Sequence, residues 1–252
     1  MCGSISFVWS VGCLPDRIPS TPVLGFDPMC GRFIQTATPE ALAQQFDVHS
    51  FPLLTPRYNI APSQSVAAIR VDPETTTRRL VLLRWGLIPS WAKDPKIGFQ
   101  CINAKAETVA EKPSFRAAFR TRRCLVVATG FYEWQVQGTM KQPMWIGLKS
   151  RRPFAFAGLW EQWQPPEGEA IESCTILTTE PNEFMRPIHN RMPVMLPATA
   201  YTQWLDPTVQ DLHALQALLR PYPSEELTAY PVSSLVNNPR HDVPECLEPV
   251  PV

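Results

Sequence analysis

No excess of charge marks this chain: Lys+Arg and Asp+Glu each number 23 in 252 residues, for a formal net charge of zero. That removes the global electrostatic argument for nucleic-acid binding, and any such site has to be local. Glycine is scarce, at 11 residues, which excludes collagen-like and flexible low-complexity chains. The seven cysteines (Cys2, Cys13, Cys30, Cys101, Cys124, Cys174 and Cys246) contain no CxxC or other metal-ligand spacing, and their number is odd. A disulfide framework or structural zinc site is therefore not expected, and reduced thiols in the cytoplasm fit better. The longest apolar runs, near 5–14, 80–83 and 125–129, fall far short of a membrane span. No Lys or Arg precedes the first of them, so a secretory signal is not expected, and Ser10 stands where a lipoprotein signal ahead of Cys13 would carry a branched apolar residue. Neither an internal repeat nor a metal or nucleotide motif is visible. No cofactor, no metal and no membrane association are expected.

What is present is an apolar content of 44% beside only 18% charged residues, which is globular. Proline is the outlier at 28 residues, about twice its usual level. So many prolines imply short elements joined by stiff loops. Thr38 followed by Pro39 and an apolar pattern to Phe46 predicts a capped helix. Alternation predicts strands over 66–71, 80–85, 124–128, 144–148, 154–159 and 174–179. Ser114 is expected to cap a short basic helix through Phe119, and 198–205 and 209–219 read as closing helices. Because strands and helices do not alternate regularly, the expected fold is α+β: a single domain with a curved, largely antiparallel, barrel-like β-sheet flanked by short helices. Residues 1–28 read as an irregular N-terminal extension, 29–235 as the domain, and 236–252 as a Pro-rich tail. Met29 restarts a Met-Cys-Gly sequence and could itself be the start.

Four islands mix reactive, polar and rigid residues in a way that a plain core does not need: Met29-Cys-Gly-Arg-Phe33, Ile102-Asn-Ala-Lys-Ala-Glu107, Gly130-Phe-Tyr-Glu-Trp134 and His189-Asn-Arg-Met-Pro193. Taken singly, each has an ordinary structural explanation, since a lone cysteine is usually a small core hydrophobe. Together with Tyr58-Asn-Ile-Ala-Pro-Ser63, Arg84-Trp-Gly-Leu-Ile-Pro-Ser-Trp91 and Ala157-Gly-Leu-Trp160 they occur in an order that resembles the SOS response-associated peptidase family, whose members process abasic sites. The resemblance covers roughly residues 29 to 235.

What the resemblance implies is a DNA-damage response protein that senses abasic sites in single-stranded DNA and crosslinks to them through an N-terminal cysteine, here Cys30. It also implies self-removal of whatever precedes that cysteine, a peptidase-type activity. Asn103 would orient the Cys30 amine, Glu133 would act as general acid/base, and His189 would handle the proton of sugar ring opening. Arg32, Lys105 and Arg191 would contact phosphates, while Trp85, Trp91 and Trp134 would offer stacking faces. Lys105 replaces the commoner arginine of the family motif, keeping the charge but losing the planar fork. Arg116, Arg120, Arg122 and Arg123 form a further basic stretch. The expected partner is single-stranded DNA bearing abasic sites, bound by a monomer. Two other classes stay open on the residues alone: a cysteine peptidase acting on other proteins, and a noncovalent single-strand binder.

Overall fold

The computed structural model describes residues 31–251. The extension, Cys2, Cys13 and Cys30 lie outside them. In chain order the elements are β1 (Arg32–Gln35), α1 (Pro39–Phe46), β2 (Arg57–Ile60), β3 (Ser65–Val71), β4 (Arg78–Trp85), β5 (Asn103–Lys105), α2 (Arg116–Thr121), β6 (Arg123–Ala128), β7 (Gly130–Gln137), β8 (Met140–Leu148), β9 (Phe154–Trp163), β10 (Ile171–Thr179), β11 (Met192–Pro193), β12 (Met195–Leu196), α3 (Tyr201–Leu205), α4 (Leu212–Ala217) and β13 (Leu227–Pro231). Strands β4, β3, β6 and β9 follow one another in one sheet, and β10 pairs with both β4 and β9, so these five close into a barrel. A second sheet runs β13-β8-β7-β1-β2, antiparallel throughout. Among the named strands only β10 pairs in parallel, with β4 and β5. The fold is thus α+β with a curved, largely antiparallel, barrel-like sheet, as the sequence implies. No helix among the described residues is long and apolar enough to cross a membrane.

Alternation along the barrel strands feeds two apolar clusters. Val66, Ala68, Val126 and Phe156 pack with Phe33, Phe131 and Ile146 of the second sheet. Ala67, Ile69, Leu125 and Val127 pack with Leu42 and Phe46 of α1 and Trp204 of α3. With both faces covered, β6 is buried along its whole length, which is why it reads as a continuous apolar run. Helix α1 starts where expected: Pro39 is in its first turn and the Thr38 hydroxyl accepts from the Ala41 N–H. Helix α2 does not. It begins at Arg116 with no side-chain cap, because the N-cap position falls on Phe115, one residue after Ser114. Arg123, grouped by sequence with a basic groove, is only 2% exposed. Its guanidinium donates to the carbonyls of Phe119, Arg120, Trp204 and Asp206, tying β6 to α2 and α3. Burial lowers its pKa to about 10, against the pull of Asp206. Arg122 is paired with Glu161 at 2.7 Å. Of the four arginines, Arg116 and Arg120 stay exposed.

The C-terminal segment is not the loose tail its prolines suggest. Val236 and Cys246 are fully buried and join Ile34, Tyr132 and Trp145 in a third cluster on the outer face of the second sheet. The fully buried Asn59 on β2 makes that docking specific: its Nδ2 lies 3.1 Å from the carbonyls of Val236 and Asn238 and 2.9 Å from that of His241. From the other side, Asp242 accepts from Arg57 Nε and from the Tyr58 and Asn59 N–H groups. Burial alone would raise the Asp242 carboxyl, but Arg57 and the two N–H donors outweigh it and hold it below its ordinary value.

Two outcomes follow for stability. Gly86 has φ +124°, and a Cβ there would lie 2.7 Å from the Gly98 carbonyl oxygen; Gly86→Ala should cost about 1–3 kcal/mol in urea denaturation for the backbone conformation alone, and a loss below ~0.5 kcal/mol would refute the reading. A depressed folded-state pKa contributes stability that is complete above the unfolded value, about 3.9, and is lost as pH falls through the folded one. Asp242→Asn should therefore lower the melting temperature near neutrality, with the gap from wild type narrowing below about pH 4; a gap constant down to about pH 2 would exclude this role.

Candidate functional site

The strand that carries Glu133 is built around a tryptophan. A Cβ on Gly130 would meet Trp145 Nε1 at 2.4 Å, and one on Gly147 would meet the far edge of the same ring at 2.4 Å. The island Gly130-Phe-Tyr-Glu-Trp134 begins with glycine because the indole of β8 lies flat on the strands there. Phe131 then faces the inter-sheet core and Tyr132 the outer cluster, where its hydroxyl sits 2.9 Å from the Tyr58 carbonyl and 3.2 Å from that of Cys246. Glu133 follows on the face of Phe131 by strand alternation and is only 3% exposed.

His189 arrives from a different direction. The Asn182 side chain opens a turn by accepting from the Met185 N–H, and the Met185 carbonyl then accepts from the N–H groups of Ile188 and His189. The imidazole Nδ1 accepts from the Arg191 N–H at 3.2 Å. A neutral ring held in this way carries its proton on Nε2.

Glu133 and His189 meet at a hollow of about 410 Å³ whose walls also include Gly31, Arg32, Pro62, Trp134, Lys141 and Asn237. Of the residues singled out by sequence, Arg32, Glu133, Trp134 and His189 are therefore brought together. Gly31, the residue joined to Cys30 in the chain, is on the same wall. The guanidinium of Arg32 is largely engaged: it donates to Asn59 Oδ1 at 3.0 Å, to the Val236 carbonyl at 2.6 Å and to the Asn237 carbonyl at 3.1 Å. Burial lowers its pKa, opposed weakly by Cys246. Trp134 is half-buried, with Nε1 donating to Asn237 Oδ1 at 2.7 Å.

Asn103 and Lys105 do not line the hollow. They sit on β5, half-buried and exposed respectively, beside Ile176 and Thr178 of β10. Arg191 follows on the other side of β10, where its guanidinium forms a two-pronged pair with Glu107 at 2.5 and 2.9 Å and donates to the Thr178 carbonyl at 2.8 Å. That pair is the main reason the Glu107 carboxyl titrates below its ordinary value. Trp91 is 58% exposed and offers an open ring face. Trp85 does not: it is fully buried, with its ring 5.2 Å from that of Phe33 and Nε1 donating to the Ile102 carbonyl at 2.8 Å. The expectation that Trp85 stacks a base is overturned, since no face of the ring reaches solvent. Sequence reasoning missed Pro62, Lys141 and Asn237. Pro62 lies inside the stretch Tyr58-Asn-Ile-Ala-Pro-Ser63 and Asn237 within the segment that reads as a tail, while Lys141 carries no signal.

Comparison with known proteins places the chain. A family model described as SOS response associated peptidase (SRAP) matches residues 29–239. Abasic site processing protein YoqW of Bacillus subtilis (strain 168) is 48% identical over 224 residues, covering 87% of this chain and 99% of that protein. Abasic site processing protein HMCES of Xenopus tropicalis is 35% identical over 221 residues, covering 76% of this chain and 65% of that one. A crystal structure of a protein from Bacteroides thetaiotaomicron is similar in fold, with a TM-score of 0.79, 27% identity, and coverage of 88% of this chain and 100% of that chain. This chain belongs to the SOS response associated peptidase family.

Proposed function

We propose that this protein processes abasic sites in single-stranded DNA and does so by covalent capture through Cys30. The observation that carries the reading is that Glu133 and His189 line one hollow together with Gly31, one peptide bond from Cys30. The relatives named as abasic site processing proteins support the substrate.

The chemistry suits a cysteine whose α-amine is free. An opened abasic deoxyribose carries an aldehyde. The amine adds to it and expels water to give an imine; the thiol then adds across the C=N bond, its proton ending on nitrogen, and closes a five-membered thiazolidine. An α-amine ordinarily titrates at about 7.7–8.0 and a thiol at about 8.5, so both groups are partly nucleophilic near neutrality. Within an unbroken chain the nitrogen of Cys30 is an amide and the sequence of steps stops. The active form therefore begins at Cys30, reached by initiation at Met29 and loss of the methionine or by removal of the preceding segment.

In this reading Glu133 shuttles the protons of amine addition and water loss, a role suited to a carboxyl buried beside the reacting atoms. His189 exchanges a proton with the sugar during ring opening, while the family resemblance alone assigns Asn103, carried on β5 and not on the described wall of the hollow, to orienting the amine. Lys105 and Trp91 supply an exposed cation and an exposed ring for the strand. Arg191, already paired with Glu107, would contact a phosphate as part of an ion-pair network.

Denaturing intact-mass analysis after mixing with an abasic single-stranded oligonucleotide should show one adduct on a chain beginning at Cys30. Cys30→Ser should abolish it, since serine closes no comparably stable ring; full adduct yield from that variant would overturn the mechanism. Glu133→Gln should slow adduct formation by about 100-fold or more without unfolding the protein, and an unchanged rate would remove Glu133 from the chemistry.

A further inference from the structure

We infer that Asn237 is a positioning residue for the DNA strand, and that the C-terminal segment it belongs to is a working wall of the site. This inference rests on the hollow being the abasic-DNA site. Asn237 closes the turn Ser234–Asn237 and lies on the hollow. Two of its atoms hold two strands of the second sheet. Its side-chain Oδ1 accepts from Trp134 Nε1 on β7 at 2.7 Å, and its main-chain carbonyl accepts from the Arg32 guanidinium on β1 at 3.1 Å. The Arg32 guanidinium carbon lies 6.0 Å from the centre of the Trp134 ring. The indole and the cation are thus held in one relation by a single residue that follows Trp134 by 103 positions and Arg32 by 205.

The chemistry of the amide matters. An indole N–H can only donate, so without an acceptor it would turn towards water or towards a phosphate oxygen of the strand. A carboxylate at position 237 would satisfy the indole equally well but set a negative charge beside the DNA phosphates. An asparagine satisfies it without charge. The turn is held by Asn59, whose side chain reaches the carbonyls on both sides of Asn237 at 3.1 Å. The acceptor is therefore pre-set, and the Trp134 face is ordered before DNA arrives, which lowers the entropic cost of binding.

Three proteins beginning at Cys30 are compared: wild type, Asn237→Ala and Asn237→Asp. Adduct formation is followed across a titration of abasic single-stranded oligonucleotide, alongside melting temperature and the Trp134 Nε1–H resonance. Asn237→Ala should raise the half-saturating DNA concentration about fivefold or more while leaving the rate at saturation within about twofold. Its indole N–H resonance should move, and its melting temperature should hold. Asn237→Asp should keep the indole resonance near the wild-type position yet raise the half-saturating concentration further, with the excess shrinking as salt is added. An unchanged half-saturating concentration in Asn237→Ala overturns the inference. So does a loss confined to the saturating rate or tracking the melting temperature, which would mark a purely structural residue. Failure of the wild type to form any adduct would instead defeat the functional reading on which the inference stands.

Discussion

The buried amide of Asn59 is the constraint on which the site's geometry depends. It sits with no exposure at all on a short edge strand, where an unpaired amide would cost about 1–3 kcal/mol. Its partners are Arg32 on β1 and three carbonyls of the segment 236–241. Satisfying one side chain thus fixes the first described strand and the last stretch of the chain against each other. Asp242 repeats the logic from the opposite side, accepting from the strand that carries Asn59. With that segment in place, Arg32 is held, Asn237 meets Trp134, and the hollow has its outer wall.

Strand β10 gathers a second set of the island residues. One edge of this strand pairs first with β4 and then with β5; the other pairs first with β9 and then with β11. The C-terminal end of β10 is consequently flanked by Asn103–Lys105 on one side and Met192–Pro193 on the other. Islands separated by about ninety residues become neighbours because both need β10's backbone to satisfy their own hydrogen bonds. The Arg191–Glu107 pair then spans the junction. Chemistry-bearing residues from distant parts of the chain converge because the sheet leaves them no other pairing.

Much of this was legible beforehand, and the failures share a cause. Periodicity located α1 and most of the barrel strands because those elements bury one stripe or both faces. The islands marked Glu133 and His189 as residues to watch. Position within an island said little about which way a side chain points. Trp85, Trp91 and Trp134 look alike in sequence, yet one is sealed in the core, one is open, and one is half-covered by a hydrogen bond to Asn237. Arg123 looked like part of a basic groove, but four carbonyls at the ends of α2 and α3 needed a donor. The C-terminal prolines suggested a tail because no local pattern records a contact with Asn59, roughly 180 residues earlier.

The placement of charge bears on how such a site would work. The chain has no net charge, and the two arginines nearest the reactive islands are largely committed within the protein, Arg32 to an amide and two carbonyls and Arg191 to Glu107. Net charge therefore supplies no attraction of DNA, and any pull has to come from a local group of cations. For a noncovalent binder that would be a defect, because phosphate contacts supply most of such a protein's affinity. For a protein that forms a bond, it is not. A shallow encounter is enough if the residues around the aldehyde are already ordered, because the covalent step then supplies the persistence that electrostatics does not. It also limits time spent on undamaged strands, where no aldehyde is present and the encounter simply reverses. The internally paired walls of this hollow would suit that division of labour: modest attraction from exposed groups such as Lys105 and Trp91, and, in the proposed chemistry, commitment only where the sugar can react.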